Sequence, residues 1–202
     1  MSELFEGEAL LKWRASLSNY SAQSPLGLWN TTSTSPCVWA GIAFNREGRV
    51  IRIELNGNLY YDVKGTLKNF NFSSFPYLST LTLTSRDVYA SGSRSGILYG
   101  ILPHGIGTLS RLTHLDLSWN NFSGPLPLKL TYIDLSYNSF SDKLPPSLIN
   151  CVQLLSLQLQ SNFFSGSIPS GYGYLKDLTQ LVLADNQLSG VIPEGIKSSG
   201  KR

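Results

Sequence analysis

Leu112-Thr-His-Leu115-Asp-Leu117-Ser-Trp-Asn120-Asn-Phe122-Ser-Gly-Pro-Leu-Pro127 reads as LxxLxLxxNxΦ followed by SGxΦP, where Φ is apolar. The phrase returns as Leu130, Ile133, Leu135, Asn138, Phe140, Pro145; as Leu154, Leu157, Leu159, Asn162, Phe164, Pro169; and as Leu178, Leu181, Leu183, Asn186, Leu188, Pro193. Weaker copies begin at Val50 and Leu78, which makes six. An internal period of this kind predicts stacked coils sharing one core. Within LxL, two leucines fall on one face of an extended segment and the residue between them on the other. The short strand so formed pairs with its neighbours. The chain then turns back through SGxΦP, where glycine permits a tight backbone and proline needs no donor partner. The asparagine that closes each phrase is expected to turn inward, its amide satisfying backbone groups of its own and the adjacent coil.

Spacing between copies locates two irregular coils. From proline to the next motif leucine is 9 residues at Pro103–Leu112, Pro145–Leu154 and Pro169–Leu178, but 3 at Pro127–Leu130. Six residues are therefore missing after Pro127, which predicts a coil stripped of most of its convex side, with apolar area left uncovered. From asparagine to proline is 7 residues in the regular copies, whereas Arg86, which replaces the asparagine of the second copy, lies 17 before Pro103. Ten surplus residues within about 87–102, rich in Ser, Gly and Tyr, are expected to bulge as a loop, because lengthening a loop costs little entropy.

Upstream of the repeats stand Glu8-Ala-Leu-Leu-Lys-Trp13, Leu28-Trp29-Asn30 and Cys37-Val-Trp39-Ala-Gly41-Ile. With the repeats, these resemble the N-terminal cap and plant-specific repeats of plant leucine-rich-repeat receptor kinases and receptor-like proteins, over almost the whole chain. The resemblance implies an α/β solenoid: a right-handed leucine-rich-repeat superhelix with a parallel concave sheet, an irregular or 3-10 convex side and a helical N-terminal cap. Residues 1–49 would form the cap, 50–193 the repeats and 194–202 a polar tail. On its own chemistry, the stretch from Glu6 puts Leu10, Trp13 and Leu17 on one helical stripe, suited to covering an otherwise naked first coil. Caps of this family carry Cys-x-W-x-G-Φ-x-Cys; here Phe44 stands where the second cysteine would be, so Cys37 is expected to carry a thiol. Cys151 lies several coils away, beyond the roughly 7 Å that a disulfide can bridge. No signal peptide, C-terminal cap, transmembrane helix or kinase domain is recognisable, so the chain is expected to be a fragment or an aberrant product of a receptor gene.

Sixteen basic against 13 acidic residues give a net charge of +3, too small and scattered to point to nucleic acid or an anionic membrane. Charged residues make up 14%, so Ser, Asn, Thr and Gln must supply the wetted surface, which favours hydrogen bonding over ionic steering. Two cysteines outside any C-x-x-C or Cys/His pattern offer neither a zinc site nor a redox motif. No run approaches the roughly 18 apolar residues of a spanning helix, so direct membrane insertion is not expected.

Three outward columns follow from the register: Arg52, Thr80, His114, Tyr132, Ser156, Gln180; then Glu54, Thr82, Asp116, Asp134, Gln158, Val182; then Asn56, Thr84, Ser118, Ser136, Gln160, Ala184. The candidate ligand-binding residues are Arg52, Glu54, His114, Asp116, Trp119, Tyr132, Asp134, Tyr137, Gln158, Gln160 and Gln180. Trp119, Tyr132 and Tyr137 head the set as an aromatic cluster, since aromatic anchors bury much area at low entropic cost. Asp116 and Asp134, roughly 5 Å apart by strand spacing, form the one pair resembling a hydrolase dyad. They sit on an open sheet, with no enclosed pocket to shift one carboxylate, and are read as hydrogen-bond acceptors. His104 and His114 lack a second ligand at metal spacing, and no nucleophile elbow supports a serine triad. Neither catalysis, cofactor nor metal is expected. Asn-x-Ser/Thr sequons at Asn19, Asn30, Asn71 and Asn121 fit a glycoprotein lineage.

By resemblance, the chain is expected to be part of a receptor ectodomain recognising a peptide or protein ligand, with a co-receptor ectodomain as a further candidate partner, at the plasma membrane or outside the cell. The second reading is a secreted inhibitor like the polygalacturonase-inhibiting proteins, against which the missing cap cysteines count. Ice binding, known on this scaffold, would need Thr80, Thr82 and Thr84 to recur in every coil, and they do not.

Overall fold

The computed structural model describes residues 2–18, 25–29, 38–56, 63–85, 98–127 and 130–197. Helix α1 (Ser2–Arg14) opens the chain, with Lys12 and Arg14 in its last turn, where positive charge complements the helix dipole. Leu10, Trp13 and Leu17 are buried as the stripe predicts, although Leu17 lies past the helix end. Trp13 meets Phe70 edge-on at 5.1 Å and donates its indole N–H to the Thr66 carbonyl. After the single turn α2 (Pro25–Leu28), Trp29 stacks on Trp39 at 5.3 Å. Glu6, 1% exposed, accepts from Arg49 Nε at 3.1 Å and from the Val50 N–H at 2.9 Å. Removing one partner of a buried pair like this typically costs about 3–5 kcal/mol, so the cap is tied to the first coil by charge as well as by apolar packing.

The main sheet has seven strands: β1 (Ile42–Phe44), β2 (Val50–Leu55), β3 (Thr80–Leu83), β5 (His114–Asp116), β7 (Tyr132–Asp134), β8 (Ser156–Gln158) and β10 (Gln180–Val182), side by side in that order. Only β1, from the cap, runs antiparallel; every later pair is parallel, one strand per coil. Small ribbons join β4 (Tyr99–Ile101) to β6 (Asn121–Ser123), and β9 (Ser165–Ser167) to β11 (Gln187–Ser189). The motif leucines point inward: Ile53, Leu81, Leu115, Ile133 and Leu157 are each 0% exposed.

The asparagines form the expected ladder. Asn138 Nδ2 donates to the carbonyls of Leu117, Leu135 and Ser136, and its Oδ1 accepts the Phe122 N–H. Asn120, Asn162 and Asn186 repeat the scheme one coil away each time. Each ladder asparagine follows a residue with positive φ: Trp119, Tyr137, Ser161 and Asp185. Asp142 (φ 70) stands where the neighbouring coils have Gly124 or Gly166, a left-handed position that aspartate tolerates better than most side chains.

On the convex side, 3-10 turns span Phe72–Ser74, His104–Thr108, Pro146–Asn150 and Ser170–Tyr174, and the short helix α3 (Glu194–Lys197) takes the same place in the last coil. Their third positions after proline, Ile106, Leu148, Tyr172 and Ile196, are all buried. The coil between Pro127 and Leu130 has no room for such a turn. It lacks that buried residue and the next inward one, supplied elsewhere by Leu109, Cys151 and Leu175. A groove lined by Leu102, Pro103, Ile106, Pro125, Leu126 and Pro127 remains. The shortening nonetheless leaves the sheet in register, His114 opposite Tyr132 and Asp116 opposite Asp134.

Leu98 donates to Asn120 Oδ1 as Phe122 does to Asn138, so pairing resumes at Leu98 after the ten-residue insertion. Most of that insertion, with Arg86, lies outside the described residues, as do Cys37 and 198–202. Cys151 carries a buried thiol. Among the described residues no helix is long and apolar enough to cross a membrane.

Candidate ligand-binding face

Two of the three columns counted along the strands stand side by side in the structure, whereas the third, expected to face outward, is buried at Ser118 and Ser136. Arg52, Thr80, His114, Tyr132, Ser156 and Gln180 are successive Cα partners across the sheet, and so are Glu54, Thr82, Asp116, Asp134, Gln158 and Val182. Parallel pairing without slippage brings this about, since a one-residue shift would turn every leucine outward.

At the cap end, Arg52 and Glu54 pair with each other at 3.6 Å, both largely solvated, an arrangement that contributes little. Across β5 and β7 the face changes character. His114 stacks on Tyr132 at 5.9 Å, and Trp119 on Tyr137 at 3.7 Å with 12° between planes. The single aromatic cluster expected from sequence is therefore two separate pairs, because Tyr132 lies on the strand while Trp119 and Tyr137 occupy the left-handed corner beyond it. Between the pairs lie Asp116 and Asp134. Asp116 Oδ1 accepts the Ser118 N–H at 3.0 Å, and Asp134 Oδ1 accepts the Ser136 N–H and hydroxyl at 3.0 and 2.6 Å.

Burial pushes the Asp134 carboxyl above the ordinary carboxylate range, the bonds from Ser136 pull it back, and the Asp116 charge pushes it up again. This overturns the expectation that an open sheet leaves both carboxylates unshifted: the concave curve and the flanking side chains desolvate Asp134 without any enclosed pocket. Tyr132 is raised too, first by burial and then by Asp134 and Asp116, while Gln158 Nε2 donates to its hydroxyl at 2.7 Å.

Towards the last coil the face is amidic. Gln180 Oε1 accepts from Ser156 Oγ at 3.0 Å, and Gln160 Oε1 is buried without a hydrogen bond. His104 is exposed at the convex groove, away from this face. No group of three His, Cys, Asp or Glu residues suited to a metal occurs among the described residues. Of the sequons, Asn71 is exposed and bonded to Ser73 and Ser74, and Asn121 is exposed and accepts from the Ser139 hydroxyl; Asn19 and Asn30 lie outside the described residues. Sequence reading missed the Glu6–Arg49 tether and the left-handed pose of Trp119 and Tyr137. The regular placement of each before a ladder asparagine was the available signal for the second.

Residues 4–43 match the "Leucine rich repeat N-terminal domain" family, and residues 111–128, 129–151 and 177–199 match "Leucine Rich Repeat". The leucine-rich repeat receptor-like serine/threonine-protein kinase RGI4 of Arabidopsis thaliana is 35% identical over 123 residues, covering 61% of this chain and 10% of that protein. The chain thus spans about a tenth of the length of that relative. Among solved structures, a plant ice-binding protein superposes with TM-score 0.81 at 27% identity, over 96% of this chain and 60% of that one. The ectodomain of the Arabidopsis receptor kinase HAESA, in complex with an N-terminally extended IDA peptide hormone, gives TM-score 0.78 at 26% identity, over 98% of this chain and 32% of that one. HAESA has also been solved with IDA and the co-receptor SERK1.

Proposed function

Because the chain belongs to the plant-type leucine-rich-repeat receptor ectodomains, we propose that its concave sheet binds a peptide or protein ligand for signalling at the cell surface, with a co-receptor ectodomain as a further partner, and that it catalyses nothing. The observation that carries this reading is the pair of continuous columns of outward side chains beside the Trp119/Tyr137 stack: rigid aromatic surface next to hydrogen-bonding groups. The complexes of HAESA with a peptide hormone and with SERK1 support it. Residues 1–49 act as cap, 50–193 as binding solenoid and 194–202 as tail, and the sequons fit an extracellular place of work.

An inhibitor of a cell-wall-degrading enzyme finds no specific support on this face. Ice binding has the likeness to the plant ice-binding protein behind it. Yet the threonines of β3 are flanked by Arg52 and Glu54 on one side and by His114 and Asp116 on the other, which breaks the flat repetitive array that ice requires.

The test uses random dodecapeptides displayed on phage, selected on the immobilised full chain and then measured by calorimetry. Trp119→Ala or Tyr137→Ala should weaken the selected peptides by more than about tenfold, as for anchors at an interface centre. Tyr174→Ala, at an exposed convex position, should leave affinity unchanged. The opposite pattern, in variants shown by circular dichroism to be folded, would move the binding face to the convex side.

A further inference from the structure

The middle of the concave face is built for a charge that none of the described residues supplies. Asp116 and Asp134 sit directly opposite each other on β5 and β7, yet neither forms an ion pair among the described residues. Arg52 is two strands from Asp116, roughly 10 Å by strand spacing, and already faces Glu54. Each Oδ1 is held by the backbone N–H two residues on, so both carboxylates are fixed in direction while each Oδ2 has no hydrogen bond among the described residues. Two like charges side by side, both half-buried, repel, and a cation between them relieves that repulsion.

Aromatic rings bracket the pair along the strands. His114/Tyr132 lies on one side and Trp119/Tyr137 on the other, and both pairs stack across the same two strands. A guanidinium fits such a trough better than an ammonium: its planar fork reaches two carboxylate oxygens at once, and its face lies against an aromatic ring.

We propose that β5 and β7 form a cation slot, in which an arginine side chain of the ligand peptide sits on Asp116 and Asp134 between the two aromatic stacks. This rests on the reading of the concave sheet as the binding face and adds the chemistry of the residue recognised there. Electrostatic complementarity of this kind sets specificity and register rather than bulk affinity. The ligand peptide therefore carries an arginine in its middle, opposite the third and fourth strands counted from β2.

The experiment titrates the full chain with two probes that differ by one atom group, Ac-Gly-Arg-Gly-NH2 and its citrulline counterpart, at low salt, following the Trp119 indole and the Asp134 amide by NMR. The arginine probe should give saturable shifts at both groups and bind at least tenfold more tightly than the citrulline probe. Asp116→Asn/Asp134→Asn should abolish that difference while remaining folded, because an asparagine Oδ1 still accepts the N–H of Ser118 or Ser136. Equal binding of the two probes, no saturable shift at 20 mM probe, or shifts confined to other surfaces overturns the slot. Failure here leaves the concave peptide site standing, since that reading is decided separately by the Trp119→Ala and Tyr137→Ala affinities for the selected dodecapeptides.

Discussion

The coil that begins at Leu112 and the coil that begins at Leu154 build the same strand and different backs. Eighteen residues separate Leu112 from Leu130, against 24 between Leu154 and Leu178. In both, the strand pairs in parallel, residue for residue, and the ladder asparagine, Asn120 or Asn162, makes the same bonds to the preceding coil. Behind the strand, the longer coil carries the turn Ser170–Tyr174 with Tyr172 fully buried, while the shorter one lacks the residues for such a turn and a groove lies beside Pro125, Leu126 and Pro127. Register is thus held by the strand and the asparagine turn, which fill the first half of each repeat. The convex half adds apolar burial and tolerates loss.

Asn162→Ala should have the largest effect on this division of labour. It strands the Phe140 N–H and leaves the carbonyls of Leu135 and Leu159 to the amides of Asn138 and Asn186 alone, for a loss of about 2 kcal/mol or more in urea unfolding. Asn138→Ala, whose amide binds Leu117 and Phe122 of the shortened coil, should cost as much. A loss under about 1 kcal/mol at Asn138 alone would mean that the ladder depends on the convex turn after all.

Restoring the missing rung is a smaller change in the other direction. Inserting Pro-Ser-Leu-Ile-Asn-Leu after Pro127 should bury two further apolar side chains and raise stability by roughly 1–2 kcal/mol, once the cost of ordering the segment is deducted. The amide spectrum of β5 and β7 should stay as it is. A shift of their pairing would show that the short coil, not the ladder, sets the strand alignment.

Asp134→Asn should have the smallest effect, with a diagnostic pH dependence. A carboxyl raised on folding favours the native state below its unfolded pKa, and that contribution is lost as pH rises through the folded value. At neutral pH the variant should therefore be as stable as the parent or more so by a few tenths of a kcal/mol, and the gain should vanish in acid. A destabilised variant at neutral pH would mean that the carboxylate is stabilised where it sits, and the comparison of this face with the solvated Arg52–Glu54 end would lose its point.

The repeat, the inward leucines, the asparagine ladder and two of the three outward columns were all legible in the sequence, because each depends on spacing along the chain. Alternation in a strand and a constant coil length turn counting into geometry. What spacing does not carry was decided by the tertiary structure. Glu6 meets Arg49 and Val50 only once the cap helix lies across the first coil, 43 and 44 positions later in the chain. Trp119 and Tyr137 stack because consecutive coils hold the same left-handed corner one strand spacing apart, while Tyr132 is turned towards His114 instead. The unshifted carboxylate expected at position 134 was wrong for the same reason: desolvation is a property of everything that surrounds a group, and a curved sheet gathers side chains that the linear sequence keeps 18 residues apart.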